Sequence, residues 1–440
     1  MSRLPRIAVG TLQADTDGTL AVWAIMAALE RAGLRVQNFA SRACLAPHDA
    51  ARAITGFSPR HLDSWLMPAD LCRELFARDS AARDLALVEG IFAIQTAATL
   101  EGGDLETLCR WLDLPSLAIV DLRLLSAGRL PERPERLDGL LLDRVSDEVE
   151  LARSVTLFES IWHVPVLGWL GMADDLRDAV RLLRPGQQPH LGLCHALGER
   201  FAQHAQIDRI ARIANSRPFS RRTCASATPI PAINLHVAVA YDEAFQGYFS
   251  DTLDLLESHG ATVSDFSPLR DERLPPDTDV VYIGCGHPEW FAAELAQNDC
   301  LMLSLKSHLC GGRRMYAEGG GLAYLCQQIE LPSGGRWPMV GALPATAHLD
   351  PAAGPPRAAE ITLRHDTWLG PAGERWRGYL NTRWSLSPAS ALDACACGKQ
   401  PLSVVRRHQA VGSRVYLNFA AHGQLLDRFF TPCMLHAALT

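Results

Sequence analysis

Lysine is almost absent from this sequence. Of its 42 basic residues, only Lys306 and Lys399 are lysines and the other 40 are arginines, so the first 305 residues contain no lysine. Arginine carries a planar, forked cation in place of a compact ammonium group, and the two are not interchangeable at a phosphate. A phosphate site that depends on lysine is therefore excluded from the first 305 residues.

The sequence also lacks a basic charge excess and long apolar runs. The net charge is −7 and the pI is about 6.1, so the general electrostatic attraction to nucleic acids and anionic membranes is missing. No window reaches the ~18–20 uninterrupted apolar residues of a membrane span, and MSRLPRIAVG is typical of a strand start, not of a secretory leader. We expect a soluble cytoplasmic protein with a small-molecule ligand, bound neither to nucleic acid nor to a membrane.

The sequence also lacks cysteines in regularly spaced pairs. The 12 cysteines are scattered, mostly through apolar runs, which favours reduced, buried thiols over a disulfide framework. Only Cys395 and Cys397 are clustered. A zinc site needs four ligands, and the sequence shows no second cluster that would supply the other two. We interpret this pair as incidental thiols in a loop, with a metal or redox element as the alternative.

What the sequence does contain is a regular alternation of strands and helices. Strands that are apolar on both faces, separated by amphipathic helices, predict parallel sheets covered by helices on both sides. A Pro-, Ser- and Arg-rich stretch at 215–234 predicts a linker between one domain at 1–214 and another at 235–440. The fold class predicted is α/β, with two doubly wound domains. The predicted strands lie at 6–11, 34–39, 84–90, 116–122, 137–145 and 164–170 in the first domain, and at 235–242, 279–286, up to Tyr316 and 413–420 in the second.

Several short motifs occur in order along both halves. They include MAALERAGLRVQNF (26–39), LLLDRV (140–145), AVAYDEAF (238–245), IGCGHPE (283–289) and YAEGGGLAYL (316–325). With them the chain resembles the cobyrinic acid a,c-diamide synthase family. Members of that family join an ATP-dependent, P-loop-NTPase-like domain to a class I glutamine amidotransferase domain of flavodoxin-like fold, and they amidate tetrapyrrole carboxylates. The resemblance implies the same two domains here.

The first site that the resemblance implies is a phosphate-binding loop close to GTxSGxGKTT. The corresponding stretch here is GTLQADTDGTLA, in which the lysine position falls on Asp17 or Gly18. Asp15 and Asp17 would repel a triphosphate, while Thr19 keeps a hydroxyl that could reach magnesium. We expect ATP and Mg²⁺ binding to be lost from this degenerate loop, which comprises Gly10, Thr11, Asp17, Gly18 and Thr19.

Three acidic residues survive in contexts that match the family: Asp63, Glu89 and Asp121. They are candidates for contact with a metal or substrate. Glu89 follows a predicted strand, where a carboxylate could hold magnesium or position water. A helix-capping role for Glu89 is equally supported.

The second implied site is a strand-to-helix elbow of the form YAECGGL. In the family the cysteine at its apex attacks the glutamine amide, but Gly319 stands at that position here. The positions of the family's histidines in its closing strand are occupied by Tyr416 and Asn418, and we interpret His422 as exposed and not as a displaced base. Loss of glutaminase activity is the expectation.

A ligand pocket is suggested around the elbow by Cys285, His287, Tyr316 and Glu318. The segment IGCGHPE resembles a family loop GGGYPE, so His287 replaces an aromatic residue, and Cys285 and His287 could contact a ligand or a metal. A packing role for His287 is favoured over ligand or metal binding. For the three glycines of the elbow, a turn required by the fold is favoured over a retained oxyanion pocket.

These observations predict a divergent pseudoenzyme of the family. It would bind a tetrapyrrole of the cobyrinate or sirohydrochlorin type, or pair with an active paralogue or with itself as a homodimer. The alternative is an active carbon–nitrogen ligase that draws free or partner-supplied ammonia. A scaffold subunit that binds no tetrapyrrole is a third hypothesis.

Overall fold

A computed structural model describes residues 4–13, 18–46, 48–92, 102–125, 130–219, 234–389, 392–398 and 400–431. The chain divides into two compact units, Met1–Ala227 and Thr228–Thr440. Of the predicted linker, residues 220–233 lie outside the described part. Residues 215–219 pack on the first unit, where Arg217 pairs with Asp138 at 2.9 Å. In the described residues, no helix combines the length and the apolar character needed to cross a membrane.

The first unit is built on a parallel sheet of seven strands in the order β3-β2-β4-β1-β5-β6-β7. The central strand β1 is buried along its whole length, as an apolar strand covered on both faces should be. The strands are β1 (Arg6–Thr11), β2 (Val36–Ala40), β3 (Arg60–His61), β4 (Leu85–Ile91), β5 (Ser116–Asp121), β6 (Gly139–Val145) and β7 (Val166–Gly171).

Eight helices accompany this sheet in the described part of the unit. The helix α1 is apolar on nearly every side and is buried, and Gly198 on α7 allows α7 to approach it, since a Cβ at Gly198 would lie 2.9 Å from Ala27. The helices are α1 (Thr19–Arg31), α2 (Ala50–Thr55), α3 (Ala69–Asp79), α4 (Leu105–Leu112), α5 (Glu148–Trp162), α6 (Asp174–Arg181), α7 (Leu191–Ala202) and α8 (Ile207–Ala214), with a 3₁₀ turn at Leu122–Leu124.

The second unit has a central sheet in the order β10-β8-β11-β13-β22-β21-β20. Its first five strands are parallel, and β21 and β20 are antiparallel additions at one edge. The strands of this sheet are β8 (Leu235–Ala240), β10 (Ala261–Phe266), β11 (Val280–Ile283), β13 (Arg314–Glu318), β20 (Asp393–Ala394), β21 (Val404–Arg407) and β22 (Ala410–Ser413). Both units are therefore α/β, which confirms the predicted fold class.

Three smaller sheets and five helices complete the described part of this unit. The smaller sheets contain β9 (Phe245–Gly247), β12 (Cys285–Gly286), β14 (Cys326–Glu330), β15 (Arg336–Pro338), β16 (Leu343–Leu349), β17 (Arg357–Thr362), β18 (Arg375–Leu380), β19 (Trp384–Pro388) and β23 (Val415–Tyr416). The helices are α9 (Ser250–Ser258), α10 (Ala292–Gln297), α11 (Asp299–Cys310), α12 (Gly320–Leu325) and α13 (Gly423–Phe429), with 3₁₀ turns at Pro288–Trp290 and Pro401–Ser403.

Three sequence-based expectations in this unit were wrong. The apolar run GLAYLCQQI (321–329) predicts a helix, but the helix ends at Leu325 and the chain enters β14 at Cys326. The strand predicted at 279–286 is divided between β11 and β12, which belong to different sheets. Of the single closing strand predicted at 413–420, Ser413 ends β22 and residues 415–416 form β23, which lies in another sheet. The Ser413 hydroxyl bonds the backbone carbonyl and N–H of Val415, and this local turn redirects the chain.

Candidate functional site

The elbow lies at the carboxyl end of β13, in the middle of the second unit's central sheet. Gly319 joins β13 to α12 with φ of +52° and ψ of −110°, a conformation that strains any residue with a side chain. The Gly319 N–H donates to the Ser413 carbonyl at 3.0 Å, and its carbonyl accepts from the Ala323 N–H at 3.2 Å. Both the N–H and the carbonyl of Gly319 are therefore hydrogen bonded, which fixes the backbone at the apex.

The next two glycines are required by close backbone packing. A Cβ at Gly320 would lie 2.3 Å from the Gly286 carbonyl oxygen, and one at Gly321 would lie 2.4 Å from that of Ile283. Both contacts are too short for any side chain. The structure thus gives the two glycines a role in the fold, since they let α12 pack against residues 283–286.

Three side chains surround the place where a side chain of residue 319 would begin. An ideal Cβ at Gly319 would lie 3.0 Å from Asn381 Nδ2, 3.1 Å from Tyr416 Cε1 and 3.4 Å from Cys285 Sγ. All three residues are buried. The apex therefore has neighbours on three sides, and a residue with a side chain would have to displace them.

The two positions that the family gives to histidines hold a phenol and an amide. The Tyr416 hydroxyl accepts a hydrogen bond from Asn381 Nδ2 at 2.5 Å, and Asn381 Oδ1 accepts from the Arg383 N–H at 2.8 Å. Asn418 is fully buried, and its Oδ1 accepts from the Ala420 N–H at 2.9 Å. Neither side chain is suited to take a proton near neutral pH.

Glu318 and Tyr316 form a buried polar cluster beneath the apex. Glu318 Oε1 accepts from the Tyr316 hydroxyl at 2.5 Å and from the Leu417 N–H at 3.1 Å, and the Tyr282 hydroxyl lies 3.4 Å from Oε2. Burial raises the pKa of Glu318 to about 7, although these hydrogen bonds oppose the shift. The cluster ties β11 and β13 to the segment after β23.

The loop at 285–289 brings His287 to a carboxylate. Glu289 Oε1 lies 2.9 Å from His287 Nδ1 and 2.7 Å from Arg383 Nη2. Glu289 is buried, whereas His287 and Arg383 are partly exposed. Asn381, Arg383 and Glu289 had not been singled out from the sequence. The only available signal was that Asn381 and Arg383 fall in YLNTRWS (379–385), which replaces a histidine-containing family segment.

His422 is not exposed as expected. It is partly buried at the start of α13, and its Nε2 lies 2.6 Å from the Arg377 carbonyl. Burial lowers the pKa of its imidazole. His422 therefore contacts the backbone of β18 at the start of α13.

The candidate loop of the first unit is described only in part. Asp17 lies outside the described residues, as do its neighbours 14–16. Gly10 is covered by Leu105 and Phe92, since a Cβ there would lie 2.4 Å and 2.9 Å from their side chains. A Cβ at Gly18 would lie 2.2 Å from Thr11 Cγ2, so a side chain at residue 18 would require the Thr11 methyl group to move. Thr19, the first residue of α1, is exposed.

The acidic candidates lie at or near the carboxyl ends of strands, but they have different partners. Asp63 is fully buried and accepts hydrogen bonds from the N–H groups of Ala43, Trp65 and Leu66 at 2.9–3.2 Å. Asp63 therefore organises two loops. Glu89 lies in β4, two residues before its carboxyl end, and is partly buried; burial raises its pKa to about 7, and the nearby Asn38 opposes the shift.

Asp121, the third candidate, belongs to a buried ionic cluster. Its Oδ2 pairs with Arg144, and its Oδ1 accepts from the Arg123 N–H at 3.0 Å. Asp143, on the next strand, pairs with Arg177 at 2.5 Å, and both side chains are buried. Burial raises the pKa of Asp143, which Arg177 opposes. Two arginines near the strand ends are thus neutralised by carboxylates.

No group of three or more His, Cys, Asp or Glu side chains is arranged to hold a metal ion within the described part of the chain. Cys395 is buried and Cys397 is exposed. Cys395 lies beside β20, where its N–H donates to the Val404 carbonyl at 2.7 Å.

Comparison with known proteins gives a consistent result over most of the chain. Residues 236–380 match the model of a CobB/CobQ-like glutamine amidotransferase domain. A cobyrinate a,c-diamide synthase of Listeria monocytogenes is 30% identical over 404 residues, covering 85% of this chain and 86% of that protein. Those of Syntrophotalea carbinolica (29%, 85% of each chain) and Dehalococcoides mccartyi (28%, 97% of each chain) are similarly related.

Proposed function

The chain belongs to the family of cobyrinate a,c-diamide synthases, and we propose that it is a member that binds its ligand without turnover. In this proposal it has lost both glutamine hydrolysis and ATP use. Its ligand is a tetrapyrrole carboxylic acid of the cobyrinate type, held alone or together with an active partner enzyme. The protein then acts by holding or presenting the tetrapyrrole.

The observation that carries the proposal is the glycine at the apex of the elbow. A thioester with the glutamine side chain needs a sulfur at the apex, and Gly319 supplies none. The positions of the general base hold Tyr416, which is hydrogen bonded to Asn381, and the buried amide Asn418. Nucleophile and base positions are thus changed together.

The loss of ATP use is supported by the charges of the first unit. The chain has no lysine before residue 306, and Gly18, one of the two residues at the lysine position of the loop, has no side chain. Arg144 and Arg177 are paired with Asp121 and Asp143. A triphosphate would have to compete with these carboxylates for the two arginines.

The test is a set of three measurements on the purified full-length protein. We expect no release of glutamate from glutamine, no hydrolysis of MgATP, and a saturable absorbance change on titration with cobyrinic acid. The proposal would be overturned by glutamine turnover that Cys285→Ala abolishes, or by ATP turnover that Glu89→Gln abolishes. Absence of any absorbance change would overturn the binding role and favour a scaffold subunit.

A second candidate function is favoured by the position of Glu89. A partly buried carboxylate near the carboxyl end of β4 is suited to a metal–nucleotide complex. The protein would then form amides from ATP and free ammonia. Incubation with cobyrinic acid, MgATP and ammonium chloride distinguishes the two: a mass shift to the amide supports the ligase, and unchanged cobyrinic acid supports the binding protein.

A further inference from the structure

We propose that Cys285 closes the glutamine pocket of the second unit by placing its sulfur in the volume that a nucleophile at residue 319 would fill. The inference deepens the proposed function and rests on it, because it names the residue that keeps glutamine out. It identifies Cys285 as a specificity-determining residue, separate from the missing apex side chain.

The distances at the apex support this role. The Cys285 sulfur lies 3.4 Å from an ideal Cβ at residue 319, before any further atom of a side chain is added. A separation of 3.4 Å is a van der Waals contact with the Cβ alone, so a sulfur added to that Cβ on the side of residue 285 meets the Cys285 sulfur. The side chains of residues 285 and 319 are therefore direct neighbours.

The Cys285 backbone cannot easily retreat. β12 pairs with β9, with Cys285 opposite Gly247, and even a Cβ at Gly247 would lie 2.7 Å from the Cys285 carbonyl oxygen. On the preceding residue, Gly284 donates its N–H to the Tyr248 hydroxyl at 2.9 Å and lies directly on that ring. The loop is thus packed from the side opposite the apex.

The surroundings of Cys285 suit a thiol that fills space better than one that attacks a substrate. Reactive thiolates form beside cations or metal ions, in partly exposed positions. Cys285 is 6% exposed and lies near the buried cluster of Tyr282, Tyr316 and Glu318. The cation Arg383 is bound to Glu289. These are the surroundings of a packed, buried side chain.

The experiment restores a thiol at position 319 and compares its reactivity in four variants: G319C, C285G/G319C, C285A/G319C and C285V/G319C. The rate at which iodoacetamide alkylates this introduced thiol is followed by peptide mass spectrometry. We expect alkylation at position 319 to be at least about tenfold faster in C285G/G319C than in G319C. C285V keeps a bulky side chain at residue 285 but removes the thiol, so alkylation at position 319 should stay slow in C285V/G319C. If C285G/G319C does not fold, C285A/G319C takes its place in the comparison.

A second readout tests the juxtaposition itself. On mild oxidation, G319C should form a disulfide between residues 285 and 319, seen as a mass loss of two hydrogens and a linked peptide; C285V/G319C should not. Equal alkylation rates with and without Cys285, or no linked peptide, would overturn the inference. Glutamate release by the wild-type protein is measured separately, and its presence would overturn the proposed function but leave the alkylation result standing.

Discussion

Asn381 and Tyr416 are joined across the apex of the elbow by a hydrogen bond of 2.5 Å, from the Asn381 amide to the Tyr416 hydroxyl. The contact makes a closed pair of two buried polar side chains beside Gly319. Since both residues are buried, removal of the hydroxyl would leave the amide donor without this acceptor.

Tyr416→Phe should therefore destabilise the second unit. We expect a loss of about 1–3 kcal/mol in the free energy of unfolding, measured by urea denaturation. Tyr241→Phe is the control, because Tyr241 is exposed and should change stability by less than about 0.5 kcal/mol. Equal stability of the two variants would show that the Asn381–Tyr416 bond contributes nothing.

Stability should depend on pH through Glu318. A carboxyl whose pKa is raised in the folded state stabilises the fold while it is protonated. Its contribution is complete below the unfolded pKa near 4.5 and is lost as pH rises through about 7. A shift of this size corresponds to about 3 kcal/mol. We expect unfolding midpoints in urea to fall between pH 5 and pH 8.

Glu318→Gln should flatten that dependence, because an amide does not titrate. Glu360→Gln is a matched control. Glu360 is exposed and paired with Arg377, which lowers its pKa, so its titration changes the stability with pH in the opposite direction. If the wild-type and Glu318→Gln proteins show the same pH dependence, the folded pKa of Glu318 is ordinary.

The glycines of the elbow should differ in their tolerance of alanine. Gly320→Ala meets a backbone carbonyl at 2.3 Å and should lose several kcal/mol, or fail to fold. Gly319→Ala meets contacts of 3.0–3.4 Å in a strained conformation, and should lose about 1–3 kcal/mol. Gly334→Ala isolates strain alone, since Gly334 has φ of +84° and open space. Thermal unfolding should rank the variants in that order, and a Gly320→Ala protein as stable as wild type would contradict the packing of α12.

The buried pair of Asp143 and Arg177 makes a prediction for the first unit. Arg177→Met strands a buried carboxylate and should cost about 3–5 kcal/mol, whereas the double variant Asp143→Leu/Arg177→Met should recover much of that loss. Arg181→Met, on the same helix but exposed, is the control. The free energies of unfolding form a double-mutant cycle, and additive losses would show that the pair is not coupled.

The sequence was most informative where one physical cause dominates. β1 and β13 were predicted because apolar residues on both strand faces need cover on both sides. The turn at Gly319 was predicted because three consecutive glycines after an apolar strand allow a backbone that other residues avoid. The change from α12 to β14 was missed because LAYLCQQI is an apolar run that fits either element, and periodicity alone does not distinguish them.

The neighbours of the apex could not be predicted in the same way. Cys285 lies in β12, whereas Asn381 follows β18 and Tyr416 lies in β23, strands of a different sheet, so that only the tertiary fold brings the three side chains together. Likewise, Glu289 owes its partners His287 and Arg383 to the path of the loop after β12. A motif can show which residue is missing, but the occupant of its place depends on tertiary structure.

The 3.4 Å between the Cys285 sulfur and the vacant Cβ position also constrains how this protein can change over generations. A substitution that places a thiol at residue 319 brings it against this sulfur, in a buried place where the two can form a crosslink. Residues 285 and 319 therefore do not vary independently: a side chain gained at one position is accommodated more readily once the other has become smaller, which gives changes at this pair a preferred order.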